Sequence, residues 1–249
     1  QGTPEVLESN GTLIVSTDAL GMELGKLELV YDTKLDKIVS HKNALDFVYD
    51  DAIEDNPQTL AAIQKWEAKL SEISQTHICT CSEPLTRSYG EESYLGNMVS
   101  DALMHKFPEY DFAVCNSGGL RQDIPGPDIT IGNVISAFPF PNTIVQLELS
   151  GNYVKDLFEH AAGQTNGVLQ VSKGVEMHYN DTLPAGEKVT LLKIKGEALV
   201  PDKQYKILAA NFLADGGDGF FAFKKATSKT NTQVEVMQAM VDYLKTFKV

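Results

Sequence analysis

The pattern of apolar and polar positions divides the chain into a β-rich beginning, one long helix and a mixed remainder. Residues 12–50 show the short apolar runs and alternation that are typical of strands. Asn56 and Pro57 then form a helix start, with a capping asparagine and a proline in the first turn, and apolar residues recur at helical spacing to about Gln75. These patterns predict three segments, a β-structured piece, a connector helix and a main domain: residues 1–54, 55–76 and 77–249.

Strand and helix patterns mix in the main domain without a strict βαβ rhythm. An apolar stripe from Leu95 to Leu103 predicts an amphipathic helix, and two further helices are expected to begin at the capping residues Asn152 and Thr232. This mixture predicts an α+β fold, a layered mixed sheet with helices packed on it. Short apolar or alternating runs predict its strands at residues 111–115, 143–149, 168–171, 174–179, 188–194 and 204–210.

The composition argues against several classes of protein. The 249 residues carry a formal net charge of -13, which disfavours polymeric nucleic acid as a partner, because such binding relies on neutralising phosphates. A small anion stays compatible, since a few local arginines can outweigh a distant negative field. No apolar run reaches roughly 18 residues, so no membrane span is expected, and the first residues show no signal-peptide pattern. Three cysteines do not suit a disulfide scaffold.

Two turns beside predicted strands carry candidate chemistry. In the turn after strand 111–115, Gly118 and Gly119 expose backbone amides, and Arg121 offers a guanidinium fork that suits a phosphate or a carboxylate. Ahead of strand 143–149, two prolines stiffen the segment that presents Phe140. Both turns therefore offer a fixed group for a ligand.

The segment Asn211–Gly219 is the most distinctive turn in the chain. Its three glycines allow positive φ and close backbone approach, and they flank Asp218, a candidate acceptor for ribose hydroxyls. The rings of Phe212 and Phe140 could stack on either side of a flat base, because every base has a π-face. Together these groups predict a nucleotide or nucleoside pocket. Two turn amides could touch the base edge: Asn116 and Asn142.

Each of these residues alone also has an ordinary structural explanation. A phenylalanine beside an apolar strand usually belongs to the core, and a Gly-Gly-Asp-Gly run is a common turn. A single arginine or asparagine is as well explained by a surface ion pair or a turn. The functional interpretation therefore depends on the order of the segments along the chain.

In that order the segments resemble the C-terminal domain of the 5'-nucleotidase family, which includes UDP-sugar hydrolases and secreted apyrases. The resemblance spans about residues 88–225, with these anchors: Leu95-Gly96-Asn97 with Asp101-Ala102, Asn116 to Arg121, Pro139-Phe140 with Asn142, Leu169 to Ser172, and Asn211 to Gly219. It implies that this domain holds the base and sugar of a nucleotide, with the base between two phenylalanines. Arg87 lies near the place of a further family arginine. The implied substrate-binding residues are Asn116, Gly118, Gly119, Arg121, Phe140, Asn142, Phe212, Asp218 and Arg87.

The same resemblance implies that phosphoester hydrolysis needs two divalent metal ions held by an N-terminal metallophosphatase domain. Residues 12–50 look like the tail of that domain, but the chain contains none of its metal-ligand motifs. We therefore expect no catalytic residue, metal site or cofactor in this chain, and no hydrolysis by it alone. The implied partners are a nucleotide or nucleoside and a metallophosphatase domain or chain. The implied location is secreted, periplasmic or at the cell surface.

Departures from the family pattern leave other functions open. Pro141 and Lys173 stand where the family usually has glycine. A non-catalytic binding or interaction module that uses the same fold is one alternative. A hydrolase with an unrecognised site of its own is another.

Overall fold

The computed structural model describes residues 5–18, 21–49, 53–165 and 167–247. Contacts within the chain separate it into two units, with the border between Ala68 and Lys69. The predicted segment 1–54 includes stretches outside the described residues, and the predicted segment boundaries stay a prediction.

The first unit consists of two antiparallel strand pairs and most of a helix. Its elements are β1 (Leu7–Ser9), β2 (Thr12–Ile14), β3 (Glu23–Asp32), β4 (Lys37–Phe47) and α1 (Pro57–Ser74), of which α1 crosses the border. Strand β1 pairs with β2, and β3 with β4. The side-chain oxygen of Asn56 accepts from the backbone N–H groups of Gln58 and Thr59, which confirms the predicted cap. No described residue up to Ala68 is buried.

The second unit is built around a five-stranded mixed sheet in the order β14-β8-β13-β6-β9. Strand β13 runs parallel to β6 and antiparallel to β8, which confirms the predicted α+β fold with a layered mixed sheet. Smaller sheets join β5 to β7 and β10 to β11 and β12. The elements are β5 (His77–Thr80), α2 (Tyr94–Lys106), β6 (Phe112–Asn116), β7 (Asp128–Thr130), α3 (Ile131–Ala137), β8 (Thr143–Ser150), α4 (Gly151–Ala162), β9 (Leu169–Val171), β10 (Val175–Tyr179), β11 (Val189–Ile194), β12 (Glu197–Ala198), β13 (Gln204–Ala210), α5 (Asn211–Ala214), β14 (Ser228–Glu235) and α6 (Val236–Leu244).

Both faces of the central sheet are covered. On β13, Leu208 faces the core layer formed with α2, α3 and α6, whereas Ile207 faces the layer formed with α4 and β11. On β6, Ala113 and Val114 divide between the same two layers. When both faces of a strand are buried, neither face carries a row of polar side chains. This explains the continuous apolar runs from which these strands were predicted.

Two predicted helix starts are wrong. Helix α4 begins at Gly151, one residue before Asn152, and a Cβ at Gly151 would collide with the carbonyl oxygen of Val200. Thr232 lies in β14, where its hydroxyl donates to the carbonyl of Ile144 on β8, and α6 begins only at Val236. In each case a contact with a segment distant in sequence sets the start of the helix. A capping residue in the local sequence does not reveal such a contact.

Candidate functional site

Eight of the nine predicted substrate-binding residues line one open cavity of about 290 Å³. The cavity lies at one edge of the central sheet. Because β6 and β13 are parallel, the turns that follow them leave the sheet at the same edge, and β8, which is antiparallel to β13, begins there. The lining residues are Asn116, Gly118, Gly119, Arg121, Phe140, Asn142, Phe212 and Asp218.

The turn after β6 forms one wall of the cavity. Ser117–Gly119 make a single 3₁₀ turn, and Arg121 leaves it exposed to solvent. One guanidinium N–H of Arg121 donates to the carbonyl of Gly118 at 3.3 Å. Its Cζ lies 5.9 Å from the ring centroid of Phe140, within the range of a cation–π contact. The cation and one aromatic face of the cavity are therefore adjacent.

The segment before β8 forms a second wall. The backbone N–H of Asn142 donates to the carbonyl of Phe140 at 2.8 Å, which makes a tight turn around Pro141. The carbonyl of Asn142 accepts from the backbone N–H of Val236, so the turn is fixed to the start of α6. Phe140 stays 45% exposed, which excludes it from the core.

Phe212 is presented by the short helix α5. Phe212 is 43% exposed and so, like Phe140, is not a core residue. A Cβ at Gly217 would lie 2.6 Å from Cε1 and Cζ of this ring, which means that the ring rests on the glycine backbone. The next residue, Asp218, belongs to the same turn, so the ring and the carboxylate are placed together.

Asp218 is held by three side chains from other parts of the sequence. Its carboxylate accepts from the amide of Asn116 at 2.9 Å, a contact that joins the two turns at the sheet edge. Its carbonyl lies 2.9 Å from Nε2 of His160 and accepts from the amide of Gln164 at 2.6 Å. The sequence reasoning missed His160 and Gln164. Their helical spacing gives no sign of a contact with residue 218.

Arg87 does not line this cavity. It lies in a separate surface depression with Ser93 and Asn97, and its guanidinium carbon is 5.0 Å from the ring centroid of Tyr89. Its backbone N–H donates to the carboxylate of Asp123. The structure therefore brings together eight of the predicted residues and leaves the ninth apart.

A buried side-chain network supports the Asn116–Arg121 wall from behind. Gln170 is 1% exposed, and its amide donates to the carbonyl of Glu91 and the hydroxyl of Ser117. Its side-chain oxygen accepts from the backbone and hydroxyl of Ser93. Gln170 thereby links β9, the start of α2 and the 3₁₀ turn of the cavity wall.

Within the described ranges, no group of three or more His, Cys, Asp or Glu side chains is placed to hold a metal ion. Nor does any helix in these ranges combine the length and apolar character needed to cross a membrane.

The layered fold places the protein in the class of 5'-nucleotidase-like domains. The crystal structure of a 5'-nucleotidase precursor from Thermus thermophilus matches it with a TM-score of 0.80 and 27% identity, over 99% of this chain and 52% of that one. The chain belongs to the family described as 5'-nucleotidase, C-terminal domain, whose family model matches residues 73–225.

Two curated relatives agree with this assignment. An apyrase of Tabanus yao is 27% identical over 97% of this chain and 48% of its own length. A human 5'-nucleotidase is 26% identical over 95% of this chain and 46% of its own length. The chain thus spans about half the length of the curated relatives that it matches.

Proposed function

We propose that the cavity binds the nucleoside part of a nucleotide, and that the chain is the substrate-binding portion of a 5'-nucleotidase-like phosphoester hydrolase. The observation that carries the proposal is the convergence of eight residues from separate turns on one cavity. Two of them are phenylalanines that stay more than 40% exposed, at 45% and 43%, although burial of either ring would be favourable. Exposed aromatic faces at a cavity suit a flat base.

The charge of the cavity favours a nucleoside over a polyphosphate. Arg121 and Asp218 are the charged side chains in its lining, and their formal charges cancel. The whole chain carries a net charge of -13, which adds no attraction for phosphate to that of Arg121. We therefore expect most of the affinity to come from the base and ribose, so that adenosine and AMP bind with dissociation constants within about tenfold of each other.

Hydrolysis would then require a metallophosphatase half that these residues do not supply. The first unit supports this part of the proposal, because none of its described residues is buried and its two strand pairs are each too small to be stable alone. Such strands need an apolar surface to pack on. A metallophosphatase domain of the same protein or of a separate chain would provide that surface. The family resemblance also leads us to propose a secreted or periplasmic location.

Calorimetry with adenosine, AMP and a UDP-sugar tests the binding proposal. We expect Phe212→Ala to weaken the binding of nucleoside by about tenfold or more, because base–aromatic stacking contributes roughly 1–3 kcal/mol. Phe247→Ala is a matched control, since Phe247 is 44% exposed and does not line the cavity. No binding of any of the three ligands at millimolar concentration would refute the proposal.

The alternatives give different results in the same experiments. A non-catalytic interaction module, which the placement of Arg87 outside the cavity favours, predicts that Phe212→Ala changes no nucleoside affinity. An autonomous hydrolase predicts phosphate release from AMP with added divalent metal, and loss of that release in Asp218→Asn. Release at the level of a buffer control excludes it.

A further inference from the structure

The backbone of Asp218 adopts a conformation that the residue would not choose by itself. Its φ is 52° and its ψ is 21°, in the left-handed region, where residues with a side chain are uncommon. Glycines flank it on both sides, and Gly219 also has a positive φ of 81°. A turn of this kind keeps one geometry only when its surroundings fix it.

Two side chains of the α4 end supply that fixation. Nε2 of His160 lies 2.9 Å from the carbonyl oxygen of Asp218, and the amide of Gln164 donates to the same oxygen at 2.6 Å. The amide nitrogen of Gln164 also lies 2.5 Å from Nε2 of His160, so Nε2 donates to the carbonyl in one tautomer and accepts from the amide in the other. A Cβ at Gly219 would lie 3.0 Å from the His160 ring, so the turn rests directly on the imidazole. The imidazole also packs nearly perpendicular to the ring of Phe220, with 4.7 Å between centroids.

His160 is held in place because helix α4 is anchored in the core, and Gln164 follows the end of this helix. Leu157, Phe158 and Ala161 of this helix are buried beneath the central sheet. His160 and Gln164 therefore hold the backbone of Asp218 from one side, while Asn116 holds its carboxylate from the other.

We propose that His160 and Gln164 are positioning residues for the nucleoside site, which fix the Asp218 turn so that its carboxylate meets the ligand. This inference rests on the proposed function. Neither side chain lines the cavity, so both act through Asp218 rather than by touching the ligand.

Adenosine binding to paired variants tests the proposal. We expect His160→Phe and Gln164→Met each to weaken binding about threefold to tenfold, the loss of one hydrogen bond's net contribution. His160→Gln should restore binding to within about threefold of wild type, because the glutamine amide reaches where Nε2 stood. The matched control is His105→Phe, since His105 is also a last-turn histidine packed on an aromatic ring, that of Tyr243.

A second background separates positioning from general damage. In Asp218→Gly, which keeps the left-handed backbone and removes the carboxylate, His160→Phe should cause no further loss of affinity. An equal loss in both backgrounds would overturn the proposal, as would wild-type affinity in both single variants. If His160→Phe fails to fold, Gln164→Met allows the same comparison of adenosine affinity in the two backgrounds.

Hydrogen exchange of the ligand-free protein distinguishes failure of this proposal from failure of the proposed function. The backbone N–H of Phe220 donates to the carbonyl of Gly217 across the turn, and we expect its exchange to be faster in His160→Phe and Gln164→Met. If the wild-type protein binds no nucleoside, the proposed function fails. If hydrogen exchange at Phe220 is unchanged in both variants, the claim that His160 and Gln164 hold the turn is overturned. Faster exchange together with wild-type affinity would show that the site does not depend on it.

Discussion

Substitution of Gly96 by alanine should destabilise the protein although it places a better helix former in a helix. Gly96 lies in the first turn of α2 and is buried against the side chain of Gln170. A Cβ at this position would overlap Oε1, Cγ and Cδ of Gln170, far inside van der Waals contact. The glutamine must therefore move, and it is the centre of the network behind the cavity wall.

The size of the effect follows from the bonds that Gln170 makes. It accepts from the Ser93 N–H at 2.9 Å and the Ser93 hydroxyl at 3.2 Å, and donates to the Glu91 carbonyl at 3.0 Å and the Ser117 hydroxyl at 2.9 Å. Leaving one buried polar group unsatisfied costs about 1–3 kcal/mol, and displacement of the side chain threatens several. The gain from replacing glycine by alanine in a helix is about 1 kcal/mol at most. We expect a net loss of about 2–3 kcal/mol.

Urea unfolding of four variants measures this loss: Gly96→Ala, Gly90→Ala, Gln170→Ala and the Gly96→Ala/Gln170→Ala double variant. Gly90→Ala is the control, because a Cβ at Gly90 meets nothing within 4 Å, and its stability should stay within about 0.5 kcal/mol of wild type. In Gly96→Ala/Gln170→Ala the overlap disappears, so the double variant should lose less than the sum of the two single changes. A Gly96→Ala protein as stable as wild type, or a loss that is fully additive with Gln170→Ala, would refute the reasoning.

Three further outcomes are expected. Burial raises the pKa of the Cys115 thiol to about 12, so iodoacetamide at pH 8 should leave Cys115 unmodified in mass spectra until the protein unfolds, and labelling of the native protein would contradict this. The hydrogen bond from Lys106 lowers the pKa of Asp242 in the folded protein. The resulting stabilisation is fully present above the pKa of the unfolded state, and it is lost as the pH falls through the folded-state pKa. Asp242→Asn should thus cost less than about 1 kcal/mol at pH 7 in urea unfolding, and this difference should shrink below about pH 4, whereas a constant difference would contradict it. Gly217→Ala, whose Cβ would lie 2.6 Å from the Phe212 ring, should weaken adenosine binding in calorimetry by about tenfold, and unchanged affinity would show that the ring position does not matter.

The central sheet and the cavity could be predicted because both follow from local pattern plus one topological fact. Strands β6 and β13 are apolar on both faces, which makes them visible in the sequence. Once they lie parallel in one sheet, the turns that begin at Asn116 and Asn211 must leave from the same edge. Prediction of the residues around the cavity therefore required only the correct strands and the family order of the turns. It did not require knowledge of side-chain geometry.

The features that escaped prediction depend on contacts between distant segments. Strand β14 is mostly exposed and carries polar residues such as Lys229 and Asn231, so its pairing with β8 leaves no apolar pattern. The position of Arg87 follows from the loop that Asp123 holds, 36 residues away in sequence. His160 contacts the backbone carbonyl oxygen of a residue 58 positions away. Because every residue has a backbone carbonyl, a sequence motif does not indicate which one is contacted.

A recognition site and a catalytic site make different demands on a chain. Stacking a base between exposed rings would require a rigid frame, and the doubly covered sheet, the Gln170 network and the buried face of α4 form such a frame. Activating water against a phosphate requires a metal-donor cluster, and within the described ranges no group of three or more His, Cys, Asp or Glu side chains is placed to hold a metal ion. If the chain binds adenosine but releases no phosphate from AMP, then addition of a metallophosphatase half should restore hydrolysis without changing which side chains contact the base. Phe212→Ala would in that case weaken binding by the chain alone and raise KM of the completed enzyme by a similar factor. A KM unaffected by that substitution would place the base outside this cavity.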